Sequence, residues 1–495
     1  MLTFLFPLAA LAGAVTAKSS STAENVSACC SKLSETYPDQ LVYAGEERFK
    51  DWNDRWAASA ELPASCIFRP LTADDVSLAI KIIAKGAGQG CHDFCPFSIK
   101  CGGHTPWPGA NNVDSGVAID LGYMNQTVVA DDKTSVTIGG GTRWHDAYES
   151  TDGDGIAFLG GRCPSTGVGG LTTGGGYSWF SGEHGFVSDT VINFEVVLGS
   201  GKVVNANKDT NADLFKALKG GSNNFGVVTH IEIAAFPHSQ QVYGGLVIVP
   251  ESSSDNVLAE FQHFTNDSTG FAANAGLTVE YFLPAEGEGQ ILLWLIDTDA
   301  EDDHATLQTF FDMEPKIVNQ VYQTSIADYP TSIPPVTQVL MADVTFENDL
   351  DVIKAAFDIT MEVRKTLSHV PNLVWDFQFE PLPRHFLKAS QAAGGNVMGL
   401  DDVDKDLLIL FLMPLWEDPE YDSDVRDAAE LWFHKIQEYT QSVGKAHPFE
   451  FANYAASFQD PMGSYGAENL QFLKDVSHRY DPGQLFQRAV EGYKL

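Results

Sequence analysis

Two short stretches of this chain set a nucleophile in a glycine-rich backbone. One is Lys100-Cys101-Gly102-Gly103-His104; the other runs from Gly160 to Gly170 and reads GGRCPSTGVGG, with Cys163 inside it. Glycines let a main chain approach a bulky ligand closely and offer N–H groups to phosphate. An imidazole and a thiol on two such loops suit one electrophilic cofactor attached at two points. That makes flavin chemistry the first hypothesis. The window 160–185 holds ten glycines, where average usage gives about two. A set of tight turns is the bland explanation; a surface that cradles phosphates and a ring is the sharper one. The window is not a dinucleotide fingerprint, because Thr172 stands where the third glycine would fall. P-loop, G-x-S-x-G and H-E-x-x-H patterns are missing from the sequence. Cys91-His92-x-x-Cys95 has no second ligand pair at zinc spacing, so no metal is expected.

In the second half, WDFQFE (375–380) alternates like a strand. Asp376, Gln378 and Glu380 then share one face. That face meets either a ligand or solvent. Trp107 and Trp416 read as core or pocket walls.

These residues need positioning elements. DDVSLAIKIIAK (74–85) has helical apolar spacing. Short strands are expected at 97–99 and 117–119, around the loop Gly102–Asn112. A strand at 134–141 runs into glycines and a helix at 144–150. Residues 191–204 form a strand–turn–strand, 213–219 a helix and 227–234 a strand. Beyond about 240 the texture changes. Strands are expected at 242–249, 290–296 and, as one buried run, 406–416. Helices are expected at 302–312, 351–368, 423–443 and 467–480.

The 495 residues carry a formal net charge of −36, so an anionic nucleic acid is not an expected partner. Residues 1–17 read as a signal peptide, with Val15-Thr16-Ala17 as the small-residue cleavage pattern. The apolar run is too short to span a bilayer and no later run reaches that length. A secreted protein follows, with sequons at Asn25, Asn125 and Asn266. Six of the seven cysteines precede residue 102. Disulfides therefore staple the N-terminal region and at least one thiol stays unpaired within the chain.

The motifs KCGGHTPWPGANN (100–112), AIDLGYMN (118–125), GGGTRW (139–144), GGRCPSTGVGGLTTGGGYS (160–178), DLFKALKGGSNNFGVVT (213–229), GGNVMGLD (394–401) and NYAASFQDPMGSYG (453–466) cover nearly the whole mature chain. Together they resemble the berberine bridge enzyme-like branch of the vanillyl-alcohol-oxidase superfamily of FAD enzymes. The resemblance implies an α+β, two-lobed fold: a PCMH-type FAD-binding domain plus a substrate domain built on an antiparallel sheet backed by helices. The expected segments are 1–17 leader, 18–60 N-terminal segment, 61–238 FAD domain, 239–450 substrate domain and 451–495 returning to the FAD lobe.

By the same resemblance, His104 carries FAD through its 8-methyl group, and Cys163 either forms a thioether to the neighbouring ring carbon or stays a free thiol. Lys100, Cys101, Gly102, Gly103, Thr105, Gly167, Gly169, Gly170, Gly174, Gly175, Val228 and Asn453 line the cofactor. Cys101 departs from the usual Ser or Gly there; it pairs with another N-terminal cysteine or lines the pyrophosphate loop. Tyr454 takes a substrate-facing position, as general base or as packing. The strand bearing Gln378 and Glu380 lies over the flavin. Thr166 stands where relatives gate dioxygen: Val admits it, Ile obstructs it, and Thr has nearly the shape of Val. The implied activity is oxidation of a small alcohol or secondary-metabolite intermediate, with dioxygen as acceptor and a monomer acting without a membrane. Oxidation of a carbohydrate at its anomeric carbon is the alternative, although Ala455-Ala456 stand where that branch has an acidic residue. A flavin-carrying binding protein with little turnover is the third.

Overall fold

The computed structural model describes residues 26–86, 94–266, 272–302, 305–329 and 337–495. The expected leader, Asn25 and Cys91 lie outside them. Three short parallel strands, Cys66–Phe68, Val117–Asp120 and Phe97–Lys100, form a small sheet, with Leu41–Tyr43 antiparallel at its edge. Helix Ala73–Lys85 makes the crossover. Its first turn is closed by a reciprocal pair: the Thr72 hydroxyl accepts the Asp75 N–H, and the Asp75 carboxylate accepts the Thr72 N–H. Val76, Ala79, Ile80 and Ile83 then face Phe68 and Phe97 in one core. Disulfides Cys29–Cys95 and Cys30–Cys66 tie a helix over 26–36 to this sheet.

A second, antiparallel sheet of six strands holds Thr127–Val129, Ser135–Gly139, Val227–Pro237, Val191–Val197 and Val203–Asn207, with Ile156–Phe158 pairing the end of Val227–Pro237. Every strand from Gln241–Pro250 onward belongs to a third sheet of ten strands, antiparallel throughout. Alternation gives that sheet two faces. Val279, Tyr281, Phe377 and Phe379 point into a core shared with helices Ser254–Thr265, Leu350–Thr366 and Asp422–Ser442. Thr278, Glu280, Gln378 and Glu380 point the other way, toward the first lobe. The run expected as one strand at 406–416 is two, Leu407–Leu412 and Leu415–Trp416. Pro414 has no N–H to give the ladder and splits it.

The chain ends back on the first lobe. Helix Ala467–Tyr480 reaches helix Ala212–Leu218 through Arg479–Asp213 and Tyr480–Asp213 contacts. Phe486 lies 5.9 Å from Phe97, and Ala489 accepts the Phe97 N–H at 2.9 Å.

Candidate functional site

Between the lobes lies a cavity of about 340 Å³. Its floor is made by two loops. The loop after strand Phe97–Lys100 carries Cys101, Gly102, Gly103, His104 and Thr105. The loop leading into helix Val168–Thr173 carries Arg162, Cys163, Thr166 and Gly167. The two backbones touch: a Cβ on Gly102 would sit 2.3 Å from the Gly167 nitrogen, and one on Gly167 would sit 2.1 Å from the Gly102 nitrogen. No residue larger than glycine fits at either position. Hence the glycines here serve contact between loops as well as contact with a ligand.

His104 and Cys163 line the same cavity. Trp56 stacks on the His104 ring at 4.6 Å. Burial, then the nearby Arg143 charge, pushes the His104 pKa down to about 3, so the imidazole is neutral. The Ser165 hydroxyl lies between the two nucleophiles, 2.8 Å from His104 Nε2 and 3.4 Å from Cys163 Sγ.

Above the loops stands a charged cluster centred on Arg162. Its guanidinium donates 2.7 and 2.6 Å hydrogen bonds to the two Glu380 oxygens, 2.7 Å to Thr278 Oγ1 and 2.7 Å to the Tyr454 hydroxyl. Tyr177 and Trp179 cover it, with ring centroids 4.5 and 5.1 Å from the guanidinium carbon. Glu380 is fully buried and also accepts from Thr278 at 3.1 Å. Both its oxygens are committed to Arg162 and Thr278, and its charge balances the guanidinium. Burial raises the Tyr454 pKa and Arg162 opposes that rise. Phe411 stacks on Tyr454 at 4.2 Å.

Beside this cluster, Glu280 and Asp376 form a second carboxyl group pair. Glu280 sits opposite Gln378 in the strand register, which brings it diagonal to Asp376. Trp294 donates to Glu280 at 2.6 Å. Burial raises both carboxyl pKa values; Glu280 raises that of Asp376 further, whereas the hydrogen bond with Asp376 lowers that of Glu280. Glu280 is on the cavity wall; Asp376 is behind it.

Of the residues singled out from sequence, Cys101, Gly102, Gly103, His104, Thr105, Cys163, Thr166, Gly167, Gly169, Gly170, Gly174, Val228, Gln378, Glu380, Asn453 and Tyr454 all border this cavity, as does Trp107. Lys100, Gly175, Asp376 and Trp416 do not. The Lys100 ammonium is turned behind the loop, onto the Asp54 carbonyl at 2.9 Å and Asp120 at 3.4 Å. Gly175 has φ +114° and faces Met398 and Phe451. Trp416 donates to Asp422 in the second lobe's core. Cys101 is a free, buried thiol packed against Gly169, with its pKa raised by burial to about 12. Asn453 joins the C-terminal segment to the glycine-rich loop through Gly176 N–H at 3.0 Å.

Sequence reasoning missed Arg162, Ser165, Glu280 and Trp56. Arg162 and Ser165 flank Cys163 within two residues, so proximity was a signal. For Glu280 the signal was the alternation Leu277-Thr278-Val279-Glu280-Tyr281, which puts two polar groups on one face. Trp56 had none.

Several buried polar atoms on this wall have no protein partner: Trp56 Nε1, Trp107 Nε1 and Asn223 Oδ1. A Cβ built on Gly170 meets nothing within 4 Å. Unpaired donors and open backbone of this kind fit a large polar ligand such as FAD. Among the described residues there is no cluster that could hold a metal ion, and no helix is long and apolar enough to cross a membrane.

Comparison with known proteins agrees with that fit. Residues 64–207 match the FAD binding domain family. The chain is 31% identical over 477 residues to FAD-dependent monooxygenase drtC of Aspergillus calidoustus, covering 95% of this chain and 90% of that protein. It is 33% identical over 449 residues to FAD-dependent monooxygenase tpcD of Cochliobolus heterostrophus, covering 86% and 84%. Among solved structures it superposes on the glucooligosaccharide oxidase of Acremonium strictum with TM-score 0.76 and 19% identity, over 95% of this chain and 99% of that one; that oxidase is described with a 6-S-cysteinyl, 8α-N1-histidyl FAD.

Proposed function

The chain belongs to the berberine bridge enzyme-like family of FAD-linked oxidoreductases, and from that premise we propose that it is a secreted oxidase of a small alcohol or secondary-metabolite intermediate, with FAD held covalently at His104 and Cys163 and dioxygen as final acceptor. The observation that carries this reading is the meeting of Tyr454, Arg162, His104 and Cys163 at one cavity. FAD, when bound, supplies a ring that accepts a hydride and passes two electrons onward.

The chain's own residues do the rest. The loops at 101–105 and 163–170 hold the cofactor, with Gly170 leaving backbone open to it. The Tyr454 hydroxyl accepts an N–H from Arg162 and borders the cavity. As a base it acts as tyrosinate, taking the proton of a substrate hydroxyl on its oxygen; burial disfavours that form and the Arg162 charge opposes the burial effect. Gln378 and Glu280 orient the substrate from the sheet. Trp107, Tyr177, Trp179, Trp294, Phe411 and Tyr493 give the cavity an aromatic wall that accommodates a flat or apolar substrate face. The disulfides Cys29–Cys95 and Cys30–Cys66 accord with an oxidising compartment.

The test is anaerobic mixing with a panel of aromatic alcohols and sugars. Substrate should bleach the flavin, and Tyr454→Phe should slow that step by about 100-fold or more while binding changes less. Unchanged reduction kinetics would return Tyr454 to packing, and no bleaching across the panel would leave a flavin-carrying binding protein. A second reading, monooxygenation, rests on the names of the relatives at 31% and 33% identity. One hydrogen peroxide per substrate supports the oxidase; labelled oxygen from dioxygen in the product supports the monooxygenase.

A further inference from the structure

Ser165 lies inside the loop GGRCPSTGVGG, and its hydroxyl reaches both His104 and Cys163. It lies 2.8 Å from His104 Nε2 and 3.4 Å from Cys163 Sγ. We propose that Ser165 is a positioning residue for cofactor attachment, holding both nucleophiles in place through one hydroxyl. This rests on the reading that FAD is attached at His104 and Cys163.

A single proton arrangement satisfies all three groups. His104 donates from Nε2 to the Ser165 oxygen, which leaves Nδ1 with its lone pair. Ser165 in turn donates its own hydrogen to the Cys163 sulfur, which fixes where that sulfur sits. A neutral imidazole is what this arrangement needs, and burial with Arg143 nearby keeps His104 neutral. Trp56, stacked at 4.6 Å, fixes the ring plane.

The hydroxyl is itself well fixed. Arg143 donates to the Ser165 carbonyl. Trp144 N–H bonds the Thr166 carbonyl at 3.1 Å and His145 N–H bonds the Pro164 carbonyl at 3.1 Å. Thr166 N–H closes back on the Cys163 carbonyl at 3.2 Å. Segment 163–166 is therefore clamped by 143–145, and the Ser165 side chain has little freedom to leave its two partners.

The chemistry balances. Each attachment replaces one C–H of the flavin, on the 8-methyl for nitrogen and on the neighbouring ring carbon for sulfur. The hydrogen on carbon and the one lost from nitrogen or sulfur leave as protons, the two electrons of the broken C–H bond pass to the ring, and dioxygen takes them up with two protons as hydrogen peroxide. Ser165 supplies no atom to either bond.

The test uses the full protein, produced with limiting flavin and then incubated with FAD in air. The readout is the share of flavin that stays with acid-precipitated protein over time, and the masses of the peptides bearing His104 and Cys163. Wild type should label both peptides. Ser165→Ala should slow labelling of both by about three- to tenfold, the worth of one neutral hydrogen bond. Ser165→Thr, which keeps the hydroxyl, should restore most of it. Noncovalent FAD bound by Ser165→Ala, released as fluorescence on denaturation, shows that this variant folds. Equal labelling in wild type and Ser165→Ala overturns the role of Ser165. Wild type without any covalent flavin overturns the attachment reading beneath it.

Discussion

Thr166 illustrates how much can turn on one methylene. Its side chain borders the cavity beside the point where the two glycine loops touch, and its carbonyl is held by Trp144 N–H at 3.1 Å. The backbone there cannot retreat, so side-chain length alone sets the free width. Thr166→Val should leave reoxidation of the reduced flavin by dioxygen fast, whereas Thr166→Ile should slow it by about tenfold or more without affecting reduction by substrate, the scale at which one methylene discriminates in a tight site. Stopped-flow mixing of reduced protein with dioxygen reads it. Equal rates in all three proteins would remove the gate from this position. Arg162 makes the complementary point. A guanidinium with four committed hydrogen bonds and two aromatic faces cannot be replaced by lysine without loss, because an ammonium lacks the fork that fits Glu380.

At the scale of elements, the decisive contact is loop against loop. Gly167 has an ordinary φ of −78°, so nothing in its torsion calls for glycine. Its neighbours do: an added Cβ would lie 2.1 Å from Gly102 N and 2.6 Å from Gly102 Cα, backbone that has nowhere to go. Gly167→Ala should cost about 1–3 kcal/mol of stability through forced separation of the loops and should release flavin. Gly170→Ala is the control, with open space around its Cβ; stability should move by no more than about 0.5 kcal/mol while flavin loading falls. Thermal melts and retained flavin on both variants separate packing from cofactor contact. If Gly167→Ala melts like wild type, the loops are not in contact in solution.

Over the whole molecule, acidic charge is spread outside and also kept inside. Burial raises the pKa of Asp343 and Asp376 well above the usual carboxyl value, raises Glu280 and Asp189, and brings Glu450 to about 7. These groups hold protons in the folded chain at pH values where the unfolded chain has already lost them. Through these groups the folded state binds more protons, and their contribution to stability falls as pH rises from about 4 through the folded pKa values. His104, His184 and His447, held neutral by burial, act the other way, but only below about 6.5, where the unfolded chain protonates them. A net charge of −36 adds repulsion at high pH. The thermal midpoint should fall between about pH 6.5 and 7.5, and salt should recover only the surface part. Asp376→Asn, which stays neutral, should reduce that fall by about 1 kcal/mol or more. A wild-type midpoint that rises over this window would contradict this account.

What the sequence determined by itself was local. Glycine density, the placement of His104 and Cys163, the helix expected at 74–85, and the alternating WDFQFE strand follow from spacing and residue type, because they are set by periods of a few residues. The N-terminal disulfide region was legible from cysteine density, although which cysteines pair was not. What tertiary structure decided is every contact that depends on register or on a distant segment. Arg162 meets Glu380 and Tyr454 across 218 and 292 residues. Glu280 meets Asp376 only because strand Ala275–Pro284 pairs Val374–Leu382 in one register; a slip of the first strand by one residue would turn Glu280 into the core and away from Asp376. Lys100 turns away from the cavity because Asp120, on the neighbouring parallel strand, offers its ammonium an opposite charge. Sequence names the groups capable of the chemistry, whereas strand register and loop contact decide which of them share a cavity and which hold one another still.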